Sequence, residues 1–139
     1  MEITFDQYSK SINRLEGAVD LAEAYQIVSE YIAGQKESYE SEDDPFAISI
    51  FAFQRDNNNF LEIAIDSKTL FRVRLQCRCT KKIWKLSWRS TYDKDLHVPS
   101  AEEIRSIVRK FFQEEMEAFR LYFDDLPYKE SKYYAIGAA

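Results

Sequence analysis

The chain has 139 residues, of which 45% are apolar and 31% charged, enough to fold and bury the core of one domain and too apolar for an intrinsically disordered chain. Three Gly and three Pro exclude a collagen-like or loop-dominated protein, and no apolar run approaches the roughly 20 residues of a membrane-spanning helix. The net charge of −5 is unevenly spread: residues 1–45 carry −8, residues 46–91 carry +6 and residues 92–139 carry −3. Such a chain is repelled by nucleic acid and anionic membranes at long range, while its basic middle can act at short range.

In chain order, Thr4 and Gln7 form a capping-box pattern, and Phe5, Tyr8, Ile12 and Leu15 follow at helical spacing up to Gly17. This predicts a first helix. Asp20 and Glu23 repeat the start signal, and Leu21, Ala24, Tyr25, Val28, Tyr31 and Ile32 trace a second helix ending near Gly34 or fraying a few residues later. The polar stretch that follows packs five acids into eight positions: Glu37, Glu40, Glu42, Asp43 and Asp44, with Tyr39 among them. It reads as a solvated linker or as an acidic docking segment in which Tyr39 is the amphipathic anchor.

Phe46 to Phe53 is a strand apolar on both faces, Arg55 to Asn59 a turn, and Phe60 to Asp66 a strand with Leu61, Ile63 and Ile65 inward. Leu70 to Ser90 is the clearest β signal. Phe71, Val73, Leu75, Cys77 and Cys79 alternate with Arg72, Arg74, Gln76 and Arg78; past Thr80-Lys81-Lys82, Trp84, Leu86 and Trp88 alternate with Lys85 and Arg89. A turn at Thr80–Lys82 sets Cys79 across from Trp84 and turns both tryptophans into the core. It also sets Arg78 across from Lys85 and Arg74 across from Arg89, like charges that destabilise a sheet unless acids sit nearby. Glu62, opposite Arg74 from the preceding strand, supplies one. Tyr92 to Pro99 reads as a loop. Ser100 and Glu103 then start a long helix, with Ile104, Ile107, Val108, Phe111, Phe112, Met116, Phe119 and Tyr122 on its apolar face, ended by Asp124-Asp125-Leu126-Pro127.

The predicted fold is α+β in one domain over 1–126: two N-terminal helices, a four-stranded antiparallel meander and a long C-terminal helix on one face of the sheet. Residues 127–139 are expected to form a C-terminal tail, poorly ordered unless it docks.

The chemistry-bearing motifs are absent: no phosphate loop, CxxC, HExxH or GxSxG. The single histidine, His97, reads as an exposed loop residue. Cys77 and Cys79 read as buried thiols, and adjacent carboxylate pairs such as Glu114-Glu115 as solvated helix charge. The expectation is a non-enzyme without metal or cofactor. The N-terminal Met-Glu-Ile-Thr-Phe-Asp lacks the basic and apolar regions of a signal peptide, so a cytoplasmic protein is expected.

In size, charge and mix of elements the chain resembles two classes of small acidic protein: bacterial immunity or antitoxin-like proteins, and the dimeric chaperones of secretion systems. The chaperones interrupt their strands with a helix, which this chain lacks between Phe46 and Ser90. The leading expectation is therefore a protein-binding module of the immunity or inhibitor kind, which meets a basic toxin or enzyme through Glu37, Tyr39, Glu40, Glu42, Asp43 and Asp44. The chaperone reading comes second. A nucleic-acid reading through the basic sheet face (Arg72, Arg74, Arg78, Lys85, Arg89) ranks below it, because bases stack on exposed rings and the hairpin's rings are expected inside. A homodimer is expected separately, from the doubly apolar strand at Phe46 to Phe53.

Overall fold

The alternating middle of the chain does form antiparallel strands, but the sheet they build is larger than the pattern predicts. The computed structural model describes residues 2–7, 17–41, 49–56, 58–65 and 71–130, with side chains at all of these except 7, 34–41 and 49. Strands β1 (Ile3–Gln7) and β2 (Gly17–Ala18) precede helix α1 (Leu21–Ser41). Strands β3 (Ser49–Arg55), β4 (Asn59–Ile65), β5 (Phe71–Ile83) and β6 (Leu86–Val98) follow, then helices α2 (Ala101–Gln113) and α3 (Met116–Asp124). The six strands form one antiparallel sheet in the order β2-β1-β3-β4-β5-β6.

The expected first helix is corrected to strand β1. Ile3 and Phe5 are buried and alternate with half-buried Thr4 and Asp6, a period of two. What overrides the local capping pattern is a partner: all five residues of β1 pair with β3, Phe5 lying opposite Phe53. Tyr8, Ile12 and Leu15 lie outside the described residues. The second helix begins at the expected reciprocal cap, with the Glu23 amide donating to Asp20 Oδ1 at 2.8 Å and the Asp20 amide to Glu23 Oε1 at 3.3 Å. It runs through Gly34 to Ser41.

Phe46, Ala47 and Ile48 lie outside the described residues. The rest of that apolar run lies in β3, hydrogen-bonded to β1 on one side and β4 on the other. Phe51 and Phe53 enter the core, while Ala52 is buried on the other face.

All three helices bury apolar side chains against one face of the sheet. Ala24, Ile27, Val28 and Tyr31 come from α1, Ile104, Ile107, Val108 and Phe111 from α2, and Phe119 and Phe123 from α3. They meet Phe5, Phe51, Phe53, Leu61, Ile63, Val73, Leu75 and Leu96. Burying each of these large side chains contributes about 1.5–3 kcal/mol. The Tyr31 ring lies 4.4 Å from that of Phe51 and ties α1 to the centre of the sheet.

The expected single C-terminal helix is two. Ser100 caps α2 as predicted, its hydroxyl accepting from the Glu103 amide at 3.3 Å. The backbone turns extended at Glu114 and Glu115 before α3 starts. Buried Arg55 stands at this break, its Nη1 donating to the Glu114 carbonyl at 2.6 Å and its guanidinium 5.5 Å from the Phe111 ring centroid. A carbonyl held by an outside donor no longer needs an amide of a continuing helix.

Candidate functional site

The hairpin register differs from the expected one, and the difference creates the site. The chain does not turn at Thr80–Lys82. It continues to Ile83, turns at Trp84-Lys85 and pairs Ile83 with Leu86, Lys81 with Trp88, Cys79 with Ser90 and Arg74 with Asp95. Tyr92 to Val98, read as loop, is therefore strand. The like-charge conflict disappears with it. Arg74 donates through Nε at 2.8 Å and Nη2 at 2.7 Å to the two oxygens of Asp93. Buried Arg72 pairs with buried Asp95 at 3.3 Å. Glu62 lies across from Arg74 as expected.

On this outer face, Asp6, Ala52, Glu62, Arg74 and Asp95 lie side by side across five strands. Burial pushes the Asp95 carboxyl up to about 6; Arg72 opposes the shift and Glu62 adds to it. Asp95 Oδ1 and the Nδ1 of His97 are buried without a hydrogen bond among the described residues. His97 is thus a half-buried strand residue opposite Arg72, not an exposed loop side chain.

The last pair between β4 and β5 is Phe60 with Gln76. Beyond it, seven β5–β6 pairs, from Cys77–Tyr92 to Ile83–Leu86, continue as a two-stranded arm roughly 20 Å long. Helix α3 covers the base of the arm. Tyr92 donates to Asp124 at 2.9 Å, the Arg120 guanidinium lies 5.7 Å from the Tyr92 ring, and Cys77 and Cys79 are buried free thiols. Burial holds the Cys77 thiol up at about 11, which keeps it protonated and unreactive.

Past Cys79 the arm is bare. The expectation that Trp84 and Trp88 face the core is overturned: they are 83% and 44% exposed. Ile83 and Leu86 are 66% and 69% exposed. Because side chains alternate, Lys81, Ile83, Leu86 and Trp88 share one side of the ribbon, and Thr80, Lys82, Ser87 and Arg89 the other. Trp84 occupies the first turn position with φ at 55°, where glycine is the favoured residue. A bulky side chain there costs of order 1–3 kcal/mol.

The arm's cations are Arg78, Lys81, Lys82, Lys85 and Arg89, and residues 77–92 contain no acid. None of the five forms an ion pair among the described residues. Lys85 Nζ lies 5.3 Å from the Trp84 ring. A cleft of about 450 Å³ at the base of the arm is lined by Asn59, Arg78, Thr80, Arg89 and Met116 among others.

The residues proposed as a basic face thus divide. Arg72 and Arg74 are neutralised within the sheet, while Arg78, Lys85 and Arg89 belong to the arm. Of the acidic segment, Glu37, Tyr39 and Glu40 lie on α1 by backbone with side chains outside the described residues; Glu42, Asp43 and Asp44 lie outside them altogether. Sequence reasoning missed Ile83, Trp84, Leu86 and Trp88 as exposed residues. The signal that would have found them is the charge conflict itself, because sliding the turn to Trp84-Lys85 keeps the alternation and sets Asp95 opposite Arg74.

Among the described residues no group of three His, Cys, Asp or Glu side chains is placed to hold a metal ion, and no described helix is long and apolar enough to cross a membrane. Comparison with protein-family models, curated proteins and solved structures finds no match, so the functional reading rests on the arm's geometry.

Proposed function

We propose that this chain is a protein-binding module whose contact element is the β5–β6 arm, and that its partner presents an apolar cleft ringed by acids. The single observation that carries this reading is the arm's tip: four large apolar side chains exposed together, among five cations without a carboxylate partner among the described residues. Contiguous exposed apolar surface rimmed by polar groups marks interaction sites, and Trp and Arg dominate their energetics. In its finer form the module is an inhibitor: an arm inserted into a partner's cleft excludes that partner's substrate. The acidic stretch Glu37–Asp44 is then a second, separate contact.

A single-stranded nucleic acid is the second reading, because Trp84 and Trp88 stand exposed among Lys81, Lys82, Lys85 and Arg89 as a stacking platform requires. Two of the four apolar tip residues, Ile83 and Leu86, are aliphatic and offer no ring to stack on. The net charge of −5 also opposes approach to a polyanion. Both features favour a protein.

The test is a photo-crosslinking residue placed at Leu86 in cells. The expected product is a protease-sensitive adduct whose linked peptide is rich in Asp and Glu, at least about tenfold weaker when Trp84→Ala is added. A nuclease-sensitive adduct would replace this reading with the second one, and no adduct would remove both.

A further inference from the structure

The arm has a free backbone edge as well as an apolar tip. With a two-residue turn, Ile83 and Leu86 form a hydrogen-bonded pair, so the amides of Cys77, Cys79, Lys81 and Ile83 point to β6. Those of Arg78, Thr80 and Lys82 point the other way, toward the side β4 occupies lower down. Arg78 confirms the phase: its amide donates to the Asn59 side-chain oxygen at 3.0 Å, the first residue of β4. The far edge of the hairpin obeys the same alternation, with the His97 amide pointing away from β5 and donating to the Lys129 carbonyl at 2.8 Å. Beyond Asn59, β4 has no residue left to meet Thr80 and Lys82. Their amides and carbonyls form an edge without a strand partner among the described residues.

The cleft lies along this edge. Arg78, Thr80 and Arg89 line it from the outer face of the ribbon, Cys77 and Cys79 from the inner face, and Met116 of α3 from below. Residues from both faces of one strand line a common cleft only where it wraps that strand's edge. We propose that this edge, residues 78–83 of β5, accepts an extended acidic segment of the protein partner as an added strand, extending the sheet where β4 leaves off. Acidity follows from the charges. Arg78, Lys81, Lys82 and Arg89 flank the edge, and no acid occurs between residues 77 and 92. The carboxylate that lines the cleft, Glu117, is held by Arg120 at 2.5 Å. Edge lysines that repel a basic strand attract an acidic one. The inference rests on the arm being the contact element, and names how its backbone is used.

The probe is a fluorescein-labelled peptide of alternating Val and Glu, with a Val-Lys peptide as its counterpart, bound to the full chain and followed by anisotropy and amide hydrogen exchange. The acidic peptide is expected to bind at least about tenfold more tightly than the basic one and to slow exchange at Thr80 and Lys82 by about tenfold or more, leaving Lys81 and Ile83 unchanged. Thr80→Pro removes one edge donor without touching the β5–β6 ladder, and is expected to weaken binding about tenfold with the thermal midpoint retained. No binding up to millimolar peptide, or binding without protection of Thr80 and Lys82, overturns strand addition. Protection that moves instead to Ser87, Arg89 and Thr91, or that appears without peptide as protein concentration rises, overturns the edge or the occupant. The arm itself is judged separately by the crosslink from Leu86, so the two failures are distinguishable.

Discussion

Strands β5 and β6 alternate apolar and charged residues along much of their length, yet their two halves meet opposite fates. Below Gln76, Val73 and Leu75 are fully buried under the helices, and Arg72 and Arg74 are held by Asp95 and Asp93. Above it, Ile83, Leu86 and Trp88 stand in solvent, and Arg78 and Arg89 have no acid partner among the described residues. The apolar residues by themselves do not separate the halves. What separates them is that β4 ends at Asn59 and α3 covers only the base of the arm. The lower half is a structural sheet. The upper half has the same amphipathic pattern and no second layer within the described residues, which is the condition of a binding surface.

The largest expected contrast is in stability. Leu61→Ala at the fully buried base should cost about 3 kcal/mol or more in urea unfolding, and Leu86→Ala on the arm less than about 0.5 kcal/mol. Equal losses would mean that the arm is packed.

A smaller effect comes from Asp95. Its carboxyl is raised from 3.8 to about 6, chiefly by burial, so it holds its proton more tightly in the folded chain than in the unfolded one. The stability this contributes is present below the ordinary value of 3.8 and is lost as pH rises through about 6. Relative to Asp95→Asn, the wild type should lose about 2 kcal/mol between these limits. A pH-independent difference would place Asp95 in water, and the ordered lower half with it.

Trp84→Gly should act in the opposite direction, because glycine accepts the positive φ and Trp84 buries little. A gain of about 1 kcal/mol is expected, together with weaker partner capture. A loss of stability would show that the ring is packed. The smallest expected change is optical. Both tryptophans lie on the arm, so emission from the free protein should already be red-shifted, quenched freely by acrylamide, and little altered by urea. A blue, protected emission would return both rings to the core.

Much of the lower half was legible in the sequence. The inward set Leu61, Ile63, Ile65, Phe71, Val73, Leu75 and Cys77, the pairing of Glu62 with Arg74, and the caps at Asp20 and Ser100 follow from periodicity and local hydrogen bonding, which need no distant partner. The N-terminal strand was not legible, because Thr4 and Gln7 offer a helix start that only the open side of β3 outcompetes. The break at Glu114 depends on Arg55, 59 positions away.

The chain's own pattern determined which residues alternate and which face of β5 carries its arginines. It left the turn free to slide, since any even shift keeps every side chain on its face. Tertiary structure chose the shift. Carrying Asp93 and Asp95 up to Arg74 and Arg72 relieves repulsion between paired cations, and the same slide moves Trp84 and Trp88 beyond the reach of α3. Periodicity is read one residue against the next, whereas register is decided by charges 19 and 23 positions apart.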